Sequence, residues 1–174
     1  MTSRRAAVRE TPDDLERLQA LLDESARRAS PFLRSSFEIP EHSLSAEQLA
    51  SHLDGSLTVA LATVTAKGEP RVAPINALFY RGSFHVPTVA RAARARHLSK
   101  RPSASLTYFE GNGLAVIVHG QAAIISETAP TFDELDEIQT STGQQSPREW
   151  EGDAIYLKIN AATMYTYASD PAHA

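Results

Sequence analysis

The stretch SFHVPTVARAARARHLSKRP, residues 83–102, changes its period midway. SFHVP is β-rich, whereas Thr88 to Lys100 reads as a helix with Thr88 as its N-cap and Pro102 closing it. A helix directly after a strand, inside an otherwise β-rich region, narrows the choice of fold. The runs on either side therefore matter. LTVALATVT (57–65) and VAPINALFY (72–80) precede it, separated by AKGEP and followed by RG, so with SFHVP they predict an antiparallel meander. SASLTYF (103–109) and LAVIVHGQAAIIS (114–126) follow as a second hairpin around Glu110-Gly111-Asn112-Gly113. AIYLKI (154–159) and TMYTYA (163–168) supply the last β structure.

The chain begins with helices. Thr11 is a good N-cap, Pro12 suits the first helical position, and Asp13 and Asp14 favour the positive end of the helix dipole. Leu15, Leu18, Leu22, Ala26 and Ala29 then make one apolar stripe, which Ser30-Pro31 stops. A loop through Phe32, Phe37 and Pro40 leads to a second helix at Ser45. There Ser45 and Gln48 form a capping-box pattern and Leu44 with Leu49 a hydrophobic staple. Asp54-Gly55 ends that helix. A short helix is predicted after Thr131, with Thr131 and Glu134 as a capping box, and the polar Gln139–Gly152 segment as a surface loop. The whole reads as a mainly β (α+β) fold: a six-stranded antiparallel barrel with one inserted helix and an N-terminal helical extension. The extension spans residues 1–54 and the barrel domain residues 55–174. Two barrel types share this order, the OB-fold and the flavin-binding split barrel.

Bulk composition narrows the chemistry. A chain of 174 residues is long enough for one well-filled domain. Its formal net charge of −4 argues against a nucleic-acid binder, which usually carries a basic excess. The absence of cysteine excludes disulfides, thiolate catalysis and cysteine-ligated metals. The basic N-terminus has no apolar segment behind it, and no apolar run approaches the ~20 residues that cross a bilayer, so a cytoplasmic protein is expected. There is no GxGxxG, no Walker sequence and no nucleophile elbow. His85 and His119 fall on predicted strands without metal-ligand spacing, so no metal site and no catalytic side chain is assigned.

The charge within residues 88–102 is not uniform in meaning. Arg96, Lys100 and Arg101 fall late in the predicted helix, where cations complement the dipole. Arg91 and Arg94 fall in its first turns, where a cation costs about 0.3–1 kcal/mol unless an anion sits nearby. A phosphate held by the free N–H groups of the helix start and by both guanidinium groups accounts for them; so does an ion pair with a remote carboxylate. Asn76 and Thr88 can hydrogen-bond a ligand there, and Pro74 and Pro87 leave adjoining backbone groups open.

From Leu57 to Gly120 the chain resembles the pyridoxamine 5'-phosphate oxidase-like split-barrel family, with weaker similarity through AIYLKINAATMYTYA. The resemblance lies in TVTAKGEPRVAP, the short strand after it, and a helix with Arg94 three residues before His97-Leu98 and Pro102 beyond. It implies an FMN-binding oxidoreductase of unknown small-molecule substrate, with a deazaflavin coenzyme as the alternative, working as a homodimer. It implies that Arg94 contacts the cofactor phosphate, that Pro74, Ile75 and Asn76 lie along the ring system, and that Val86, Pro87 and Thr88 lead into the phosphate site. Arg91 joins them on the charge argument alone. His97 stands where asparagine is usual, and Ala73-Pro74 where relatives often carry polar groups. The C-terminal TYASDPAHA lacks the Arg/His motif of true vitamin B6 oxidases. Two other readings remain. One is an OB-type module stacking single-stranded nucleic acid on Phe79, Tyr80 and Phe84. The other is a barrel that holds a flavin- or haem-like ligand without turnover.

Overall fold

A computed structural model describes residues 9–172. The readings that fall on residues 1–8, including the absent secretory signal, and on the last two residues lie outside the described residues. The chain runs α1 (Pro12–Arg28), α2 (Pro31–Ser36), α3 (Ala46–His52), β1 (Leu57–Val64), β2 (Pro70–Tyr80), β3 (Ser83–Val89), α4 (Ala93–Lys100), β4 (Ser103–Glu110), β5 (Leu114–Ser126), α5 (Pro130–Ser141), a 3-10 turn at Pro147–Glu149, and β6 (Ala154–Ala168). The six strands close in the order β1-β2-β3-β6-β5-β4, all neighbours antiparallel. This is the expected six-stranded barrel, with α4 inserted after the third strand.

Alternating side chains fill it. Val59 and Leu61 of β1, Phe84 and Val86 of β3, Leu106 of β4, Val116 and Val118 of β5, and Leu157 and Ile159 of β6 share one buried cluster. Leu18 and Leu22 of α1, Leu49 of α3, and Leu44 and Leu53 flanking α3 belong to the same cluster, so the helices cover the barrel directly. A second, smaller cluster lies outside the barrel wall, where Phe132 and Leu135 of α5 pack on Leu78, Ala154 and Tyr156.

The caps at Thr11 and Ser45 form as the sequence predicts, each a full capping box. Other boundaries differ. The segment expected as a loop after Pro31 makes α2, because Ser30 accepts a hydrogen bond from the Leu33 N–H and Pro31 takes the first helical position. The last helix starts at Pro130 after Ala129, without a side-chain cap, and the Thr131–Glu134 box does not form. Glu134 instead accepts from the Tyr80 hydroxyl at 3.0 Å and pairs with Arg81 at 3.2 Å. The two C-terminal β runs are one continuous strand. Its register against β5 shifts between His119 and Gly120, where the pairing passes from Thr163 to Ala161.

The central correction concerns Thr88. It does not cap a helix: it lies inside β3, buried, paired with Ile155 of β6. The run Val86-Pro87-Thr88-Val89, β-branched at three of its four positions, continues the ladder with β6, and α4 begins only at Ala93 after Ala92. β-Sheet pairing thus outweighs the local capping preference of a threonine.

Candidate functional site

β2 and β3 are joined by a two-residue hairpin, Arg81-Gly82, with φ of 50° and 72°. Both positive values match the turn geometry that suits the strand twist. The strands then pair over three positions only: Leu78↔His85, Phe79↔Phe84 and Tyr80↔Ser83. Beyond them β2 runs with β1 from Pro70 to Ala77, while β3 runs with β6 to Val89. The barrel wall is split between these two strands. Pro74, Ile75 and Asn76 lie on one lip, and Val86, Pro87 and Thr88 on the other.

Strand alternation divides those six residues between two faces. Ile75 and Val86 pack with the barrel core, and Val86 is fully buried, so its backbone alone can meet a ligand. Asn76 and Pro87 face outward and line a small pocket with Ser56, Ala77, Leu78, Gln139 and Gln144. Asn76 Nδ2 donates to Gln144 Oε1 at 3.2 Å.

Arg94 sits in the first turn of α4, half-buried, and its Nη1 donates to Thr88 Oγ1 at 3.2 Å. No side chain caps this helix start, in contrast to α1, α2 and α3. The first N–H groups of α4 and the Arg94 guanidinium therefore offer adjacent donors to an anion. Arg91 is elsewhere: it lies in the turn before α4, not on the helix. Its Nη2 is 3.0 Å from Glu151 Oε2, and both side chains are exposed. This ion pair accounts for its charge locally. Thr63 Oγ1 lies 3.0 Å from His97 Nδ1 and ties α4 to β1.

The remaining polar groups have structural partners. His85 is buried in β3, with Nδ1 3.1 Å from the Ser83 carbonyl. Burial, and then the positive charge of Lys158, push its pKa down to about 3, so it stays neutral. His119 is exposed on β5, 2.8 Å from Ser105 Oγ. Among the described residues no group of three or more His, Asp or Glu is placed to hold a metal ion. Phe79 and Phe84 are buried edge to face at 5.0 Å within the core, so neither can stack a nucleic-acid base. Tyr80 is held by Glu134; burial and that hydrogen bond raise its pKa.

The segment Gln139–Gly152, expected as a polar surface loop, instead begins inside α5 with Gln139 buried, and Gln144 reaches Asn76. The readable signal was Gly143, a helix-ending glycine followed directly by a glutamine.

A model of the pyridoxamine 5'-phosphate oxidase family matches residues 45–167, which spans α3 and all but the last residue of the barrel. The chain belongs to that family. Solved structures agree on the fold. One is the conserved hypothetical protein Rv2991 of Mycobacterium tuberculosis, at 18% identity, TM-score 0.63, covering 78% of this chain and 91% of that one. Another is an F420 reductase at 15% identity, TM-score 0.54, covering 64% and 91%. A third is HutZ, the haem storage protein of Vibrio cholerae, at 16% identity, TM-score 0.51, covering 64% and 84%. No curated protein matches the chain. Among the described residues no helix is long and apolar enough to cross a membrane.

Proposed function

We propose that this family member binds FMN, or a deazaflavin coenzyme in its place, along the split and acts as an oxidoreductase on a small molecule. The observation that carries the reading is the placement of Arg94 at an uncapped helix start, bonded to Thr88 at the end of the split. A phosphate there would be met by the guanidinium and by backbone N–H groups. Asn76 and Pro87, from the two lips, border a separate small pocket on the outer face of the wall. The donors at Arg94 and the start of α4 fit the phosphate of such a cofactor. A bound flavin or deazaflavin itself supplies hydride transfer, which is consistent with the lack of an acid–base pair among the candidate side chains. This chain's own groups bind the phosphate and orient the ring.

The deazaflavin alternative gains support from the similarity to an F420 reductase. The haem alternative has less, because His85 is buried and His119 lies on β5, away from the split. Vitamin B6 oxidation is not proposed. A homodimer is proposed from membership of the family and from apolar groups left open on the wall, Val72 at 70% and Ile124 at 48% exposure.

Titration of the purified protein with FMN and with coenzyme F420, followed by ligand fluorescence, tests the reading. Saturable binding of one of them is expected; binding of neither overturns it. Arg94→Ala should weaken affinity by about 1–3 kcal/mol if the guanidinium holds the phosphate.

A further inference from the structure

We propose that the seam between the N-terminal helices and the barrel holds a small-molecule site of its own, for a primary ammonium carried on an apolar body. α1, the segment leading into α3 and the C-terminal half of β6 surround a cavity of about 300 Å³ there. Ligand sites run from about 300 to 1,000 Å³, so this one suits a small molecule. None of its lining residues belongs to the lips of the split or to α4. Its lining residue Met164 pairs with Val118 of β5, whereas Thr88 pairs with Ile155 near the opposite end of β6. The cavity is therefore separate from the site at Arg94.

Most polar groups of the wall are occupied in holding it together. Gln19 Oε1 accepts from the Ala46 N–H at 2.8 Å, which ties α1 to the start of α3. Thr166 Oγ1 accepts from the Leu44 N–H at 2.9 Å, and Gln48 Oε1 from the Ser45 N–H at 2.9 Å. Leu22, Ile39, Leu44 and Met164, all buried, give the cavity its apolar surface. Covering such a surface is favourable by about 25 cal/mol per Å², which rewards an apolar ligand body.

Three polar groups of the wall keep acceptor capacity. Gln19 Nε2 donates to Asp23 Oδ1 at 2.8 Å, which fixes the carboxylate and leaves Oδ2 open. Among the described residues Asp23 has no ion pair, and the hydroxyls of Ser43 and Tyr165 have no protein partner. Asp23 is also the one charged side chain among the described lining residues. Arg34 lies close by, but it donates to the Ala26 and Arg27 carbonyls and so compensates the end of α1 instead. The adjoining groove, which shares Gln19 and Ser45, carries Glu16 and Glu47 and no basic side chain. The sign of the ligand follows. A carboxylate and two hydroxyl oxygens match the three N–H donors of a primary ammonium. A carboxylate ligand would meet Asp23 as a like charge, and an alcohol would forgo the charge-assisted bond.

Isothermal titration of the full chain with phenethylammonium, phenethyl alcohol and phenylacetate tests the site. Saturable binding of the amine is expected, with the alcohol and the acid at least about tenfold weaker. Asp23→Asn should lower the affinity for the amine about tenfold and leave that for the alcohol as it was. Asp23 is exposed, so this variant should fold with an unchanged unfolding midpoint. Amide shift mapping needs no variant and should place the amine at Leu22, Leu44 and Tyr165. Equal affinity for the three compounds, undiminished amine binding by Asp23→Asn, shifts confined to other residues, or no saturation up to ~10 mM would each overturn the inference. All four leave the cofactor reading intact, because that reading is tested with other ligands at other residues.

Discussion

At the scale of single residues, two cations three positions apart have unrelated environments. Arg91 meets Glu151 in the turn after the 3-10 helix, whereas Arg94 reaches inward to Thr88. Arg91→Ala should consequently change cofactor affinity far less than Arg94→Ala, by under about 0.5 kcal/mol, since an exposed ion pair contributes little. The same titration measures both. His85 carries a pH dependence with a definite sign. Its folded pKa of about 3 lies below the ordinary 6.5, so the fold excludes the proton that the unfolded chain accepts. Its contribution is whole above pH 6.5 and falls by about 1.4 kcal/mol per pH unit as pH drops towards 3. Denaturant unfolding at pH 7 and pH 5 should show wild type losing about 2 kcal/mol more than His85→Gln across that interval. Equal losses would mean that this histidine is not the group concerned.

Among elements, the boundaries set by local chemistry and those set by pairing behave differently. Thr11 and Ser45 cap their helices through contacts three residues away, and a short motif is enough to specify them. Ser45→Ala should lower stability by about 1 kcal/mol in the same assay. The β5–β6 register shift is of the other kind. A Cβ on Gly120 would lie 2.0 Å from the Asn160 carbonyl oxygen, so only glycine lets the two strands approach there. Gly120→Ala should cost about 3 kcal/mol or more, or displace β6, which thermal unfolding and circular dichroism would reveal. Nothing within the sequence around Gly120 states that Asn160 will lie against it. The Thr131–Glu134 pattern shows the converse hazard: a good local motif that Tyr80 and Arg81, some fifty residues away, draw into another role.

For the whole molecule, the shared core is the governing fact. Leu18 of α1 and Leu49 of α3 lie in one cluster with Val59, Val116 and Leu157 of the barrel. Helices and barrel should then unfold in one transition. Far-ultraviolet circular dichroism and the fluorescence of Trp150, the single tryptophan, should give the same midpoint. Leu49→Ala should lower both signals together, by about 2–5 kcal/mol. Separate midpoints would show that the helices fold as an independent unit. Sedimentation of the cofactor-loaded protein should give a dimer; a loaded monomer would contradict the proposed assembly.

The sequence by itself determined the strand count, the insertion after the third strand, two of the helix caps and the family. The first three follow from periodicity or from contacts within a few residues, and the family from the resemblance carried by Leu57 to Gly120. Only the tertiary structure decided where β2 and β3 part, which face each lip residue takes, and that Thr88 serves a strand and Arg94 a helix start. It also brought Gln144 to Asn76. The physical reason is common to all of them: ladder pairing and burial join residues far apart in the chain, and those long-range energies override local preference wherever the two compete.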